Sequence, residues 1–301
     1  MLQLICCLLA NAVCAEFSDD IVYVHEWGVI LLDGSYLRAA GCPGGYIDEY
    51  GCFQEYPMAE VTAPVVYFYG GECFGDFTVS TGAGSFTLMD PPPDTLVSRS
   101  DPERMEMAVW EGIIVKHEDP EARQSSEAAI MPPAGQWMDC FSWAAPFWRL
   151  PPANLIFHPA SGYNDEFIYY ESSIDDPEMF LGEYYDYSGE ALVFLADDGE
   201  MVCVKMTVPG ECDASGRTLS DLEILTVIGS WGNGGMLPEE VYGLWRTWKP
   251  LLKTRCEGEC LILMLFPLTD RQENTVSHLS FVPVENLRVE YERLLLGLGY
   301  I

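Results

Sequence analysis

The chain has 301 residues and a mass of 33.7 kDa, with 47 Asp and Glu against 15 Lys and Arg, a formal charge of −32 and a pI near 4.1. That balance argues against nucleic acid and anionic membrane surfaces as partners. At 49% hydrophobic and 13% aromatic residues the chain is no disordered acidic tail, which would be poor in apolar and aromatic side chains, and its length allows one large domain or two of about 150 residues.

Residues 1 to 15 read as a signal peptide. Met1 to Leu9 is almost wholly apolar, and Val13-Cys14-Ala15 places small residues ahead of the acidic Glu16-Phe17-Ser18-Asp19-Asp20, the pattern that signal peptidase recognises. The run is too short to cross a bilayer, which takes about 20 apolar residues, and no later stretch comes close, so the sequence predicts no transmembrane segment and a secreted or periplasmic chain. Cys14 raises the alternative of a lipid anchor, although Asn11-Ala12-Val13 fits a lipoprotein box badly.

Short runs rich in β-branched and aromatic residues follow almost without pause: Ile21 to Leu32, Val61 to Tyr69, Phe74 to Ser80, Ser85 to Met89, Met107 to Lys116, Phe167 to Glu171, Ala191 to Ala196 and Met201 to Val208. These read as strands. Asp197-Asp198-Gly199 marks a hairpin, and Pro91-Pro92-Pro93 ends its strand because proline cannot donate to a ladder. The aromatic stretch between Pro132-Pro133 and Pro151-Pro152 reads as irregular structure pinned by buried rings. The polar, acidic segment from Ser172 to Gly189 is the candidate boundary between a β-rich region, 16–172, and a second, 173–301, unless the two are continuous.

One helix is predicted at about 238–249. Pro238 suits its first turn, Glu239 and Glu240 its positive end, and Lys249 and Lys253 its negative end. Val241, Leu244, Trp245 and Trp248 recur at helical spacing, which predicts an amphipathic helix packed on a sheet, and Pro250 should kink or end it. Three strands are expected afterwards, at Cys260 to Phe266, Thr275 to Val282 and Leu287 to Leu296. The fold class is therefore mainly β, a β-sandwich or two packed antiparallel sheets with one amphipathic helix near the C-terminus.

Without the leader eight cysteines remain: Cys42, Cys52, Cys73, Cys140, Cys203, Cys212, Cys256 and Cys260. An even number in an exported chain reads as disulfides, with 105 pairings open. Spacing favours local closure of Cys42 with Cys52, Cys203 with Cys212 and Cys256 with Cys260, leaving Cys73 with Cys140. A zinc ribbon is the rival, but its paired Cys-x2-Cys knuckles are missing from the sequence.

Val24-His25-Glu26-Trp27-Gly28, then Thr62-Ala63-Pro64-Val65-Val66-Tyr67-Phe68-Tyr69, then Glu166-Phe167-Ile168-Tyr169-Tyr170-Glu171 stand in an order that resembles a family of exported bacterial proteins of planctomycete- and myxobacteria-like lineages, which open with His-Glu-Trp-Gly after the signal. The C-terminal strand ending in Leu265-Phe266-Pro267 and the closing Leu287-Arg288-Val289-Glu290-Tyr291-Glu292-Arg293 fit the same order. Aliphatic residues follow Gly28 where Thr-Phe is usual in that family, and Tyr170-Glu171-Ser172 stands where Tyr-Arg-Gly is common. The resemblance implies export and no particular chemistry.

Searched for chemistry, the sequence has no Gly-x-Ser-x-Gly, Walker loop or His-Glu-x-x-His. Two places are candidates. His25 and Glu26 lie beside Trp27 on a strand, where a hydrogen-bonded structural role competes with a functional one; His158, before Pro159, suits a turn better than a base. The acidic, tyrosine-rich tract supplies candidate calcium ligands in Asp165, Glu166, Asp175 and Asp176, against the plainer reading of a solvated acidic loop. No other cofactor is expected. Taken together these features point to a secreted binding or envelope-associated protein without catalysis, with a carbohydrate or cell-surface partner as a candidate. The alternative is a secreted polysaccharide hydrolase acting through paired carboxylates.

Overall fold

The computed structural model describes residues 17–31, 45–47, 53–55, 60–82, 84–98, 105–117, 145–150, 152–173, 188–208, 217–232, 234–259 and 262–300. The expected leader and the Ser172–Gly189 boundary segment fall wholly or largely outside them. At the centre lies β1 (Ile21–Leu31), which pairs in parallel with β16 (Arg288–Tyr300) and antiparallel with β4 (Glu60–Gly70). Strands β11 (Ile168–Ser173) and β6 (Phe86–Asp90) extend the sheet beyond β4. On the other side β14 (Leu263–Pro267), β12 (Gly189–Asp197) and β13 (Glu200–Val208) complete eight strands. Both halves of the chain thus contribute to one sheet.

A second sheet contains β5 (Cys73–Thr81), β8 (Glu106–Lys116), β9 (Leu155–His158), β10 (Tyr163–Asp165) and β15 (His278–Pro283), with β7 (Thr95–Val97) also paired to β8. Two short strands, β2 (Gly45–Ile47) and β3 (Phe53–Glu55), pair with each other. The mainly β prediction of two packed, mostly antiparallel sheets is the observed class.

Alternation along β1 assigns its residues to two cores, because successive strand side chains point to opposite faces. Val22 and Val24 join Val66 and Phe68 of β4 against Phe77, Val79 and Trp110 of the second sheet. Trp27 and Val29, with Val65, Tyr67 and Tyr69, form the opposite face. That face is covered by α1 (Ala145–Trp148), α2 (Asp221–Trp231) and α3 (Pro238–Glu259), while α4 (Asp270–Val276) puts Val276 against Ile30, Phe266 and Leu295 on the side of the second sheet.

The predicted helix is α3, and Pro250 does not end it: the helix runs on to Glu259. Its buried stripe explains why, since Leu252 and Cys256 continue the line of Val241, Leu244, Trp245 and Trp248 into the same core, and that packing outweighs the one backbone hydrogen bond proline removes. Cys256 therefore lies in a helix and not in a tight loop. Helices α2 and α4 stand where the sequence reading placed none and a strand start, respectively. Each opens on a capping box, Ser220 with Glu223 and Thr269 with Gln272.

Gly28 is explained by β4. The pairing slips between Trp27 and Val29, where β1 residue 28 faces the extra residues of β4 around Pro64; proline cannot donate to a ladder and favours such a bulge. A Cβ at position 28 would lie 3.1 Å from the Pro64 Cα and 3.2 Å from the Leu295 side chain, so glycine lets the strands close here without the shift of a few tenths of an ångström that a larger residue would demand.

Trp27, Trp245 and Trp248 are 0–2% exposed, as the amphipathic patterns predict. Replacing Trp245 by alanine should cost about 3 to 5 kcal/mol through lost burial and an unfilled cavity, read as a lower midpoint in denaturant titration; an unchanged midpoint would contradict its place in the core.

Candidate functional site

Because both faces of β1 are covered, His25 and Glu26, both at most 1% exposed, must find partners inside the protein. They find them on opposite faces. His25 turns towards the helices, where its Nδ1 lies 3.2 and 3.1 Å from the two carboxylate oxygens of Glu240. Glu240 stands in the first turn of α3 and also accepts the Leu237 N–H at 2.6 Å, the reach back over the helix start that a third-position glutamate makes. One carboxylate thus caps the helix and fixes it to the central strand.

Glu26 turns the other way. Arg293 of β16 donates to it through Nε at 2.6 Å, the Tyr170 hydroxyl of β11 donates to its Oε1, and Ser277, after α4, lies 3.3 Å from the same oxygen. Arg293 also donates to the Ser277 hydroxyl at 2.6 Å and to the Glu273 carbonyl at 3.3 Å. Burial alone would lower the Arg293 pKa, but Glu26, Tyr170 and Glu273 together outweigh it and hold the guanidinium charged. Burial, followed by Glu26, pushes the Tyr170 phenol well above its usual range, so the hydroxyl stays protonated and donates. Each oxygen of Glu26 is occupied.

Around His25 the polar groups are less completely used. Tyr67 and Tyr69 project from β4 on the same face, and Tyr69's ring lies 4.7 Å from the imidazole and 4.6 Å, stacked, from Phe17. Both tyrosines are 0% exposed. Trp27 lies close to the Tyr67 hydroxyl and Glu240 close to that of Tyr69, but neither hydroxyl nor the Trp27 indole N–H has a partner in full hydrogen-bond alignment among the described residues. Burial pushes both phenols well above their usual range, and the Glu240 carboxylate adds to it; Glu166 and Asp165 raise Tyr67 further, while Trp27 works against the shift. Both phenols therefore stay protonated and keep a donor and an acceptor beside the Glu240 carboxylate.

The calcium candidates do not come together as ligands. Asp165 is buried and takes Arg149 at both oxygens, at 3.1 and 2.8 Å; Glu166 is buried beside it, and Asp175 and Asp176 lie outside the described residues. Among the described residues no group of three or more His, Cys, Asp or Glu could hold a metal ion. Of the cysteines, Cys73, Cys203 and Cys256 are described, each a buried free thiol; Cys42, Cys52, Cys140, Cys212 and Cys260, and with them every predicted pairing partner, lie outside. Burial pushes the Cys73 thiol up to about 12 and Cys256 to about 11. His158 ends β9 and is not a free turn residue: it is 1% exposed and lies between Asp94 and Ser161, at 2.8 Å from each. The sequence reading missed that constellation.

No family model matches the chain, and neither the curated proteins nor the solved structures compared with it give a match.

The Glu26 network makes a sharp expectation. Glu26→Gln leaves the Arg293 side chain, 12% exposed, without its counter-charge, and should cost about 3 to 5 kcal/mol, whereas Glu26→Leu combined with Arg293→Met, which removes both charges, should cost far less. Urea unfolding of the two variants distinguishes this from a merely packed pair, for which the double change would be the worse.

Proposed function

We propose that the chain is an exported binding protein, and that its ligand is a small neutral or cationic molecule held through hydrogen bonds at the cluster of His25, Tyr67, Tyr69, Trp27 and Glu240. The observation that carries this reading is the pair of fully buried hydroxyls, on Tyr67 and Tyr69, with no aligned partner among the described residues. Folded proteins satisfy nearly all such groups, and each exception calls for a reason. The nearby carboxylates of Glu240, Glu166 and Asp165 disfavour an anion. Export, in line with the resemblance to exported bacterial families, belongs to the same proposal.

The paired-carboxylate hydrolase has weaker support. Glu240 and Asp165, the acids nearest the cluster with described contacts, are held by His25 and Arg149, and a glycosidase acid must be free to give up its proton to the substrate.

Tyr67→Phe and Tyr69→Phe test the binding reading through the sign of their effect. If the hydroxyls hold a ligand, native mass spectrometry of the exported protein shows a retained small molecule, each variant lowers its occupancy at least tenfold, and each lowers the melting temperature. If the hydroxyls hold nothing, their removal relieves a desolvation cost of about 1 to 3 kcal/mol and the melting temperature rises, which would overturn the proposal. Export is checked by N-terminal sequencing of the released protein, with Glu16 expected first; a chain beginning at Met1 would refute it.

A further inference from the structure

The second sheet holds a serine, a histidine and an aspartate in a chain of hydrogen bonds. Ser161 lies in the exposed turn between β9 and β10, and its Oγ is 2.8 Å from Nδ1 of His158. The other ring nitrogen, Nε2, is 2.8 Å from Oδ2 of Asp94. Rigid elements hold all three: Asp94 accepts the Glu111 N–H of β8 at 2.7 Å and donates its own N–H to the Val109 carbonyl, His158 closes β9, and Gly162, at a φ of +71°, returns its N–H to the His158 carbonyl at 2.9 Å. The left-handed glycine lets the chain turn tightly enough to bring Ser161 back over the imidazole.

The hydrogen bonds fix the tautomer. Against the effect of burial, the Glu111 amide and His158 hold the Asp94 carboxyl below its usual range. An ionised carboxylate only accepts, so Nε2 carries the ring proton, and in the neutral imidazole Nδ1 is then the acceptor for the Ser161 hydroxyl. Nucleophile, base and orienting acid are in the relation that serine acyl-transfer sites use, although here the serine meets Nδ1 and the aspartate Nε2. The Tyr163 N–H also reaches the Ser161 oxygen, at 3.3 Å, without taking the proton that must leave.

We propose that Ser161 is an activated nucleophile that accepts an acyl group from small neutral or cationic esters, with His158 as general base and Asp94 as its positioning residue. Oγ bonds to the ester carbonyl carbon while its proton passes to Nδ1 of His158. The carbon–oxygen bond to the alcohol then breaks, and the leaving alkoxide takes that proton. Water then gives a proton to the same nitrogen as its oxygen bonds to the acyl carbon, the carbon–Oγ bond breaks, and Ser161 Oγ takes that proton back, leaving the carboxylic acid. Asp94 stabilises the imidazolium at each stage. The formal charge of −32 repels anionic esters from an exposed turn, which sets the substrate class. The site lies on the sheet opposite the His25 cluster and does not depend on the binding proposal.

The full-length protein is treated with an uncharged fluorophosphonate, which transfers its phosphonyl group to an activated serine Oγ with loss of fluoride, and separately with p-nitrophenyl acetate. One adduct by intact mass is expected, mapped to Ser161 by peptide sequencing and absent in Ser161→Ala. Asp94→Asn and His158→Gln should slow its formation at least tenfold with unchanged circular dichroism; if His158→Gln does not fold, Asp94→Asn decides alone. Ser230→Ala, at an exposed serine of α2 whose hydroxyl donates to the Val227 carbonyl, should label at the rate of the unmodified protein, which shows that the reagent is selective for Ser161. No adduct on Ser161, or an adduct forming equally fast in the Asp94 variant, would reduce the constellation to a hydrogen-bonded turn and overturn the proposal.

Discussion

Coverage of β1 on both faces is the constraint on which the rest of the structure depends. A strand between two layers can carry an ionisable side chain only where a partner waits in each layer, because an uncompensated charge there costs several kcal/mol. His25 and Glu26 are neighbours in sequence and therefore face opposite layers. Their partners draw in α3 on one side and β16, β11 and the end of α4 on the other. Trp27 then fills the helix-facing core, and Gly28 admits the Pro64 bulge. Four consecutive residues thus meet four different demands of one position in the fold, which is a structural reason for a His-Glu-Trp-Gly element that requires no catalysis by it.

The same pairing shapes the surface. With 15 basic residues against 47 acids, two of the arginines are committed to buried or half-buried carboxylates, Arg293 to Glu26 and Arg149 to Asp165. Each pair takes one acid inside with its base, so the excess of acids over bases lies outside these pairs, and such a field selects neutral and cationic molecules at any exposed site.

Strand content and the α3 stripe were legible in the sequence because alternation and helical spacing are local signals. The two short helices are also signalled, by Ser220-x-x-Glu223 and Thr269-x-x-Gln272, but β-branched and apolar residues inside them carry the competing local signal of a strand. The motif residues His25 and Glu26 could be singled out, yet their partners lie 144 to 267 positions away in the chain, and no local pattern reports such pairs. Ser161 lies three residues from His158, within reach of a sequence reading; what gives that spacing chemical meaning is Asp94, 64 positions earlier, brought close only by the pairing of β7 and β9 with β8.

The two polar sites lie on different sheets, but they share a support. The Asn154 N–H donates to the Phe68 carbonyl at 2.9 Å, and its side-chain amide donates to the Gly70 carbonyl at 3.1 Å. Phe68 and Gly70 flank Tyr69 on β4, while Asn154 immediately precedes β9, the strand that ends in His158. Backbone hydrogen bonds of this kind hold position without carrying charge, and neither Tyr67 nor Tyr69 contributes a side chain to the Ser161 turn. Removing a phenolic hydroxyl on β4 leaves the Asn154 anchor intact, because that anchor uses only main-chain carbonyls of β4. The geometry of His158 therefore rests on the fold of β4 and not on whatever occupies the cluster beside it, which is the physical ground for treating the two activities as separable.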